Sequence, residues 1–313
     1  MRFIYAARKM QSTRITSLNA RRMLAPLGAL GLLAAAACGD SSRPADPLAS
    51  VPDFIYVSDA SGGNELYTWK HGTTALFAAT VAGDVQPQSA AGKVVFTSYR
   101  ISFLNAEIYS ANLDGSNAIR LTNSDGADVE PSLSPDGATV VFTSIRSGTS
   151  RLWTMDADGS NPTMLATGSA TDLPESSARF SPDGTQILFS SPRTNTTQIW
   201  VMPAAGGPAT QVTHEANGAF EGSWSPDGKS IYYVDGVDRT TIHDVVLSTG
   251  DKTDYVTGGT DVGEQACTAS ACLVVSGATT SDGNILAYVG ANSDPIPLLQ
   301  TDKNEFEPAV LNP

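Results

Sequence analysis

The sequence predicts an all-β fold, a six-bladed β-propeller of four-stranded blades, and three observations carry the prediction. First, Ser134-Pro135-Asp136-Gly137 fits a type I turn and precedes the apolar run Val140-Val141-Phe142. It returns as Ser181-Pro182-Asp183-Gly184 before Ile187-Leu188-Phe189, and as Ser225-Pro226-Asp227-Gly228 before Ile231-Tyr232-Tyr233. Second, the turn position recurs at Ser89, Ser134, Ser181, Ser225, Thr268 and Leu311, a period near 45 residues. A small sheet cannot bury both of its faces and stacks on copies of itself. Third, Glu307-Pro308-Ala309-Val310-Leu311 repeats the segment Glu130-Pro131-Ser132-Leu133-Ser134. The chain therefore ends on the first strand of a blade whose other three strands stand at its beginning, which closes the ring and removes free edges.

Taken in order, residues 1–37 read as an export signal. Six basic residues up to Arg22 precede an apolar run through Ala37 that is too short to span a bilayer. Ala35-Ala36-Ala37-Cys38 resembles the lipobox of bacterial lipoproteins, with Ala35 where Leu is usual, and the resemblance implies a lipid on Cys38. Ordinary secretion is the alternative. Residues 38–52 hold Asp40, Pro44, Asp46, Pro47 and Pro52 without an apolar period and read as a flexible tether. The propeller spans 53–313.

Within it, Phe54-Ile55-Tyr56-Val57 is a second strand with no turn before it. The other second strands are Val94-Val95-Phe96, Val140-Val141-Phe142, Ile187-Leu188-Phe189, Ile231-Tyr232-Tyr233 and Leu273-Val274-Val275. Third strands begin at Leu66, Ile108, Leu152, Ile199, Ile242 and Ile285. Fourth strands contain Leu76-Phe77, Leu121-Thr122, Leu165-Ala166, Val212-Thr213, Tyr255-Val256 and Leu298-Leu299. Asp114-Gly115-Ser116-Asn117 and Asp158-Gly159-Ser160-Asn161 are tight turns between third and fourth strands.

The combined repeat, Glu-Pro-x-apolar-Ser-Pro-Asp-Gly, then apolar-apolar-Phe-Thr-Ser, then Ile-Tyr/Trp-x-Met, resembles the WD-like propeller repeat of the TolB family and covers 53–313. The resemblance implies a propeller with a partner-binding role. Family members carry an N-terminal α/β domain; here only the tether precedes the first strand.

Charge narrows the partners. The chain has 19 Lys and Arg against 32 Asp and Glu; six of the basic residues lie before Cys38, leaving 13 against 32 beyond it. Nucleic acid and anionic membrane surfaces are poor partners, because the dominant attraction to phosphate comes from Lys and Arg. A cationic or neutral envelope protein or peptide fits, with the membrane reached only through the lipid and the chain a monomer.

Two constellations could carry chemistry. Cys267 and Cys272 flank the turn Thr268-Ala269-Ser270-Ala271; closure like the other turns makes them a cross-strand pair within disulfide reach, two buried thiols being the alternative. Export favours oxidation. The second is a set of acids where innermost strands begin: Glu130, Glu221, Glu264 and Glu307, with Glu175 near the corresponding place. The loop after the second strand lies at the same end and supplies Arg100, Arg146 and Arg193 in three blades, Asp59 and Asp235 in two others. One half of this mouth can neutralise its acids and the other cannot. Each Glu can hold blades in register, and together they can form an acidic funnel for a cationic segment. No catalytic residue, metal site or cofactor is expected: His71, His214 and His243 share no ligand spacing, no Gly-x-Ser-x-Gly occurs, and Asp156-Ala157-Asp158-Gly159 lacks the distal Glu of a calcium loop. The expectation is a non-catalytic binding scaffold at the cell envelope, with an envelope lyase or hydrolase acting in the channel as the alternative.

Overall fold

The computed structural model describes residues 46–77, 83–168, 173–237, 239–256, 262–276, 283–291, 293–301 and 303–311, apart from the side chains of Pro47 and Glu264. The export signal, Cys38 and the start of the tether lie outside the described residues.

Six four-stranded antiparallel sheets follow one another. Blade I is β4 (Asp84–Ala90), β5 (Lys93–Ser98), β6 (Glu107–Asn112) and β7 (Ile119–Arg120). Blade II is β8 (Asp128–Leu133), β9 (Thr139–Ser144), β10 (Arg151–Asp156) and β11 (Thr163–Met164). Blade III comprises β12 (Ser176–Phe180), β13 (Gln186–Thr194), β14 (Thr196–Pro203) and β15 (Thr210–Gln211). Blade IV comprises β16 (Ala219–Trp224), β17 (Ser230–Asp235), β18 (Ile242–Val246) and β19 (Lys252–Val256). Blade V is β20 (Gly263–Cys267), β21 (Cys272–Ser276), β22 (Asn284–Tyr288) and β23 (Ile296–Leu299). In blade VI, β24 (Glu305–Val310) pairs with β1 (Phe54–Ser58), which is followed by β2 (Glu65–Lys70) and β3 (Thr73–Leu76). The pairing matches Phe54 with Val310 and Ser58 with Glu305, so the C-terminal strand closes the ring as the sequence predicts.

First strands pack on first strands around the ring, β4 on β8, β8 on β12, β12 on β16, β16 on β20, β20 on β24 and β24 on β4. Second strands are covered on both faces by neighbouring blades, which is why they read as unbroken apolar runs rather than alternations. Val140, Val141 and Phe142 are fully buried. The core lies between blades: Val95 and Ile108 of blade I pack with Val140, Phe142 and Met155 of blade II, and Val141 and Leu152 pack with Ile187, Phe189 and Met202 of blade III.

Three details differ from the sequence expectations. In blade I the turn falls one residue later, since Ser89 pairs with Val94 and Ala90 with Lys93 around Ala91-Gly92. Fourth strands in blades I, II and III sit two residues before Leu121, Leu165 and Val212 and are two residues long. Thr122 and Thr213 leave the ladder because their hydroxyls instead accept the N–H of Ile108 and Ile199, each at 2.9 Å. Within the stretch read as a tether, Pro47–Ser50 form a 3-10 turn capped by Asp46, and Val51 is buried against Phe54 and Trp69.

Candidate functional site: two ends of the central channel

Each first strand carries a bulge near its start. Gln86, Glu130, Ser177, Glu221 and Glu307 have φ between +51° and +59°, and the ladder shifts register around them. A left-handed residue costs a non-glycine side chain energy, takes its own N–H out of the ladder and turns its side chain sideways. The ring offsets that cost by linking one bulge to the next. Glu307 Oε2 accepts the N–H of Gln86 at 2.6 Å, Gln86 Oε1 accepts that of Glu130 at 3.1 Å, and Glu130 Oε2 accepts that of Ser177 at 2.7 Å. Thr97 and Thr143 donate their hydroxyls to Gln86 and Glu130 at 2.8 and 3.0 Å. Between blades III and IV the link is the indole N–H of Trp224 on the carbonyl of Arg179, 3.1 Å. Gln265 then donates to the carbonyl of Glu221 at 2.5 Å, and the Glu221 carboxylate lies where a Cβ on Gly263 would have to go.

A second device stands beside the bulges. Arg146 donates Nη2 to Asp128 at 2.5 Å and Nε to Ser144 Oγ at 2.9 Å, while its guanidinium lies 4.6 Å over the ring of Trp153. Arg100 repeats this with Asp84 at 2.8 Å, Ser98 at 2.9 Å and Tyr109 at 4.3 Å. Arg193 pairs with Glu175 over Phe189 and Trp200. The arginines thus pair with Asp84, Asp128 and Glu175, not with the bulge residues, and Glu175 belongs to this set while Ser177 holds the bulge. The expectation that the other half of the mouth lacks neutralising groups is corrected at Glu221, which Arg239 meets at 2.9 Å. Asp59 accepts from the backbone and side-chain N–H groups of Asn304 at 3.1 and 2.8 Å. Asp235 caps the N–H of Val237 at 2.9 Å and stands 3.6 Å from His243, whose other nitrogen meets Asp254 at 2.9 Å. Glu264 has no described side chain. Spacing found the acids; it missed Asp84, Asp128 and Arg239, although Ser-x-Arg at 98–100 and 144–146 recurs in phase.

The opposite end of the first strands is different in kind. A cavity of about 540 Å³ opens there, lined by residues of all six blades. At the register position two residues before each turn stand Gln88, Ser132, Arg179, Ser223, Ala266 and Ala309, with Phe180, Trp224 and the turn prolines around them. The turns nest: a Cβ on Gly137 (φ +73°) would come 2.7 Å from that of Ala91, and Gly184 faces Pro135. Asp136, Asp183 and Asp227 aim back into their own turns, where the hydroxyls of Ser134, Ser181 and Ser225, and then backbone N–H groups, hold their carboxyls below the usual 3.8. Cys267 and Cys272 pair across the corresponding turn of blade V, Cα atoms 4.0 Å apart, joined by a disulfide.

Residues 78–178 match the TolB beta propeller domain. A TolB homologue of Chlorobaculum tepidum is 38% identical over 61 residues, which is 20% of this chain and 14% of that protein. Among solved structures, TolB from Acinetobacter baumannii superposes with a TM-score of 0.69 at 19% identity, covering 84% of this chain and 67% of that one. Oligogalacturonate lyase from Vibrio parahaemolyticus gives 0.56 at 11% identity over 80% of this chain and 74% of the other, a likeness of fold alone. The match to the TolB beta propeller domain thus falls on blades I and II, and the ring as a whole shares the propeller fold of TolB.

Proposed function

We propose that the chain is an exported lipoprotein, held by a lipid on Cys38, whose propeller is a non-catalytic scaffold receiving an envelope protein or peptide. The observation that carries this reading is the contrast between the channel ends. The acids at the strand starts serve as links between blades, whereas the other end leaves a concavity of the size that ligand sites have, about 300–1,000 Å³. Among the described residues its lining holds no carboxylate beside a base, the pair that hydrolysis or elimination would need. The excess of acidic residues beyond Cys38 favours a partner of cationic or neutral overall charge.

The reading is tested with the purified full chain immobilised beside an Ala269→Trp variant, whose indole would cover the cavity from its exposed rim. A protein taken from envelope extract by the first and lost by the second supports the scaffold; retention by both moves docking away from the cavity, and retention by neither removes the scaffold reading. Radiolabelled palmitate incorporation into the chain, abolished by Cys38→Ser, is the expected result for the anchor.

A further inference from the structure

The geometry points to a self-association edge on blade VI, where β3 of one chain pairs antiparallel with β3 of a second copy. The inference goes beyond the reading of the cavity and does not depend on it. Closing the ring protects the inner strands, but each blade still ends on an outer strand with a neighbour on one side only. Such an edge is a template for pairing unless it is short, charged or interrupted by proline. Five blades use one of these devices. β7, β11 and β15 are two residues long, β19 carries Lys252 and Asp254, and β23 contains Pro297. β3 uses none of them. Thr73-Thr74-Ala75-Leu76 has four residues, no charge and no proline, all four are exposed, and Leu76 is 45% accessible.

The hydrogen-bond pattern says which groups this edge offers. His71 (φ +46°) and Gly72 (φ +83°) form the tight turn into β3, and the N–H of Phe77 donates to the carbonyl of Leu66 at 2.8 Å. Bonded and non-bonded pairs alternate along an antiparallel ladder. With Thr68 opposite Ala75 and Lys70 opposite Thr73, those two residues of β3 turn their backbone groups to β2. Thr74 and Leu76 turn theirs outward. Because they flank Ala75, they define a two-fold register: Thr74 meets the partner's Leu76, Leu76 meets the partner's Thr74, and the two Ala75 residues face each other across the axis. Four backbone hydrogen bonds result, and the same patch serves on both chains, as a two-fold contact requires. Thr74 and Leu76 then form cross-strand pairs of a β-branched and an apolar side chain. Charge does not oppose the approach. The chain as a whole is acidic, but around this hairpin acids and bases are matched: the charge of Lys70 acts on Asp114, and His71 meets Asp53 at 3.1 Å. A four-residue edge makes a small interface, so the association belongs to the weak, reversible class.

Cysteine cross-linking of the full chain in intact cells tests the register. Across the axis the two Ala75 Cα atoms would stand about 4.5 Å apart, as in a non-bonded antiparallel pair, within disulfide reach. The two Thr73 residues would stand about 14 Å apart. Under oxidation by copper phenanthroline, Ala75→Cys is therefore expected to give a linked dimer, and Thr73→Cys and the parent chain are not. In sedimentation velocity of the purified full chain, the mass is expected to rise toward two chains with concentration. Thr74→Pro removes an outward N–H and leaves the bonds to β2 in place. It should weaken the association at least tenfold with an unchanged melting temperature, and Leu76→Lys should do the same, a check that holds if the proline disturbs the strand. A single-chain mass at every concentration, cross-linking of Thr73→Cys as strong as that of Ala75→Cys, or a dimer untouched by both edge variants would each overturn the proposal. So would Ala75→Cys joined to a different protein in place of itself, which would give the edge to a partner's strand.

Discussion

The two ends of the same six strands have opposite chemistry. At their starts, acids, arginines and backbone N–H groups are interlocked, and carboxylates that look like a binding surface in the sequence are spent on holding the ring together. At their ends the side chains, Arg179 apart, are neutral and mostly small beside nested turns, and a cavity remains. A cluster of acids in the sequence is thus not by itself a mark of a free binding surface in this ring. A polar group that already has good partners in the fold has little to offer a ligand, because breaking those bonds costs about what new ones return.

That contrast can be broken by substitution, beginning where it is strongest. Asp128→Asn removes the charge opposite Arg146 in a pair whose acid is fully buried; a loss of about 3 kcal/mol is expected in chemical denaturation, since one member of a buried pair is left uncompensated. Glu130→Ala leaves the N–H of Ser177 and the hydroxyl of Thr143 without the carboxylate that accepts them, and about 2–3 kcal/mol should go, with Glu130→Gln recovering part because an amide oxygen still accepts. Opening the Cys267–Cys272 bridge frees a short loop at the other end. There about 2 kcal/mol is expected from loop entropy, read as a lower melting temperature in reductant that a Cys267→Ser/Cys272→Ser variant reproduces without it. Smaller still is the effect of acid on the turns. Asp136, Asp183 and Asp227 are held below 3.8 in the folded chain, so their contribution is complete above that value and drains away as pH falls through their lowered pKa values. A Ser134→Ala/Ser181→Ala/Ser225→Ala variant should show a shallower loss of melting temperature below pH 4 than the parent.

The ring was legible because its signals are local and repeated: a turn with fixed chemistry, a β-branched strand after it, and an end segment that copies a first strand. The pair Cys267–Cys272 followed from the same register. The working parts of the site were less legible. Whether Glu130 points into the channel or sideways depends on the left-handed φ of its bulge, and nothing in the residue type announces that, since Gln86 and Ser177 share the conformation. Arg239 escaped because it stands four residues past the end of its second strand, whereas Arg100 and Arg146 stand two past theirs, which puts it out of phase with them. The cavity escaped because periodicity tells which side chains share a depth but not how much space they leave between them.

The closing strand has a consequence for biosynthesis. Phe54 and Val310 are partners separated by nearly the whole domain, so the first strands made are the last to be completed. Until β24 has been made and has docked, β1 presents an unpaired edge and the ring stays open. Contacts this distant in sequence form late and slowly, and exposed edges invite wrong pairing in the interval. Ring closure therefore waits on the final strand: five blades and three strands of the sixth are complete before β24 is made, and its docking is the step that joins the two ends of the chain.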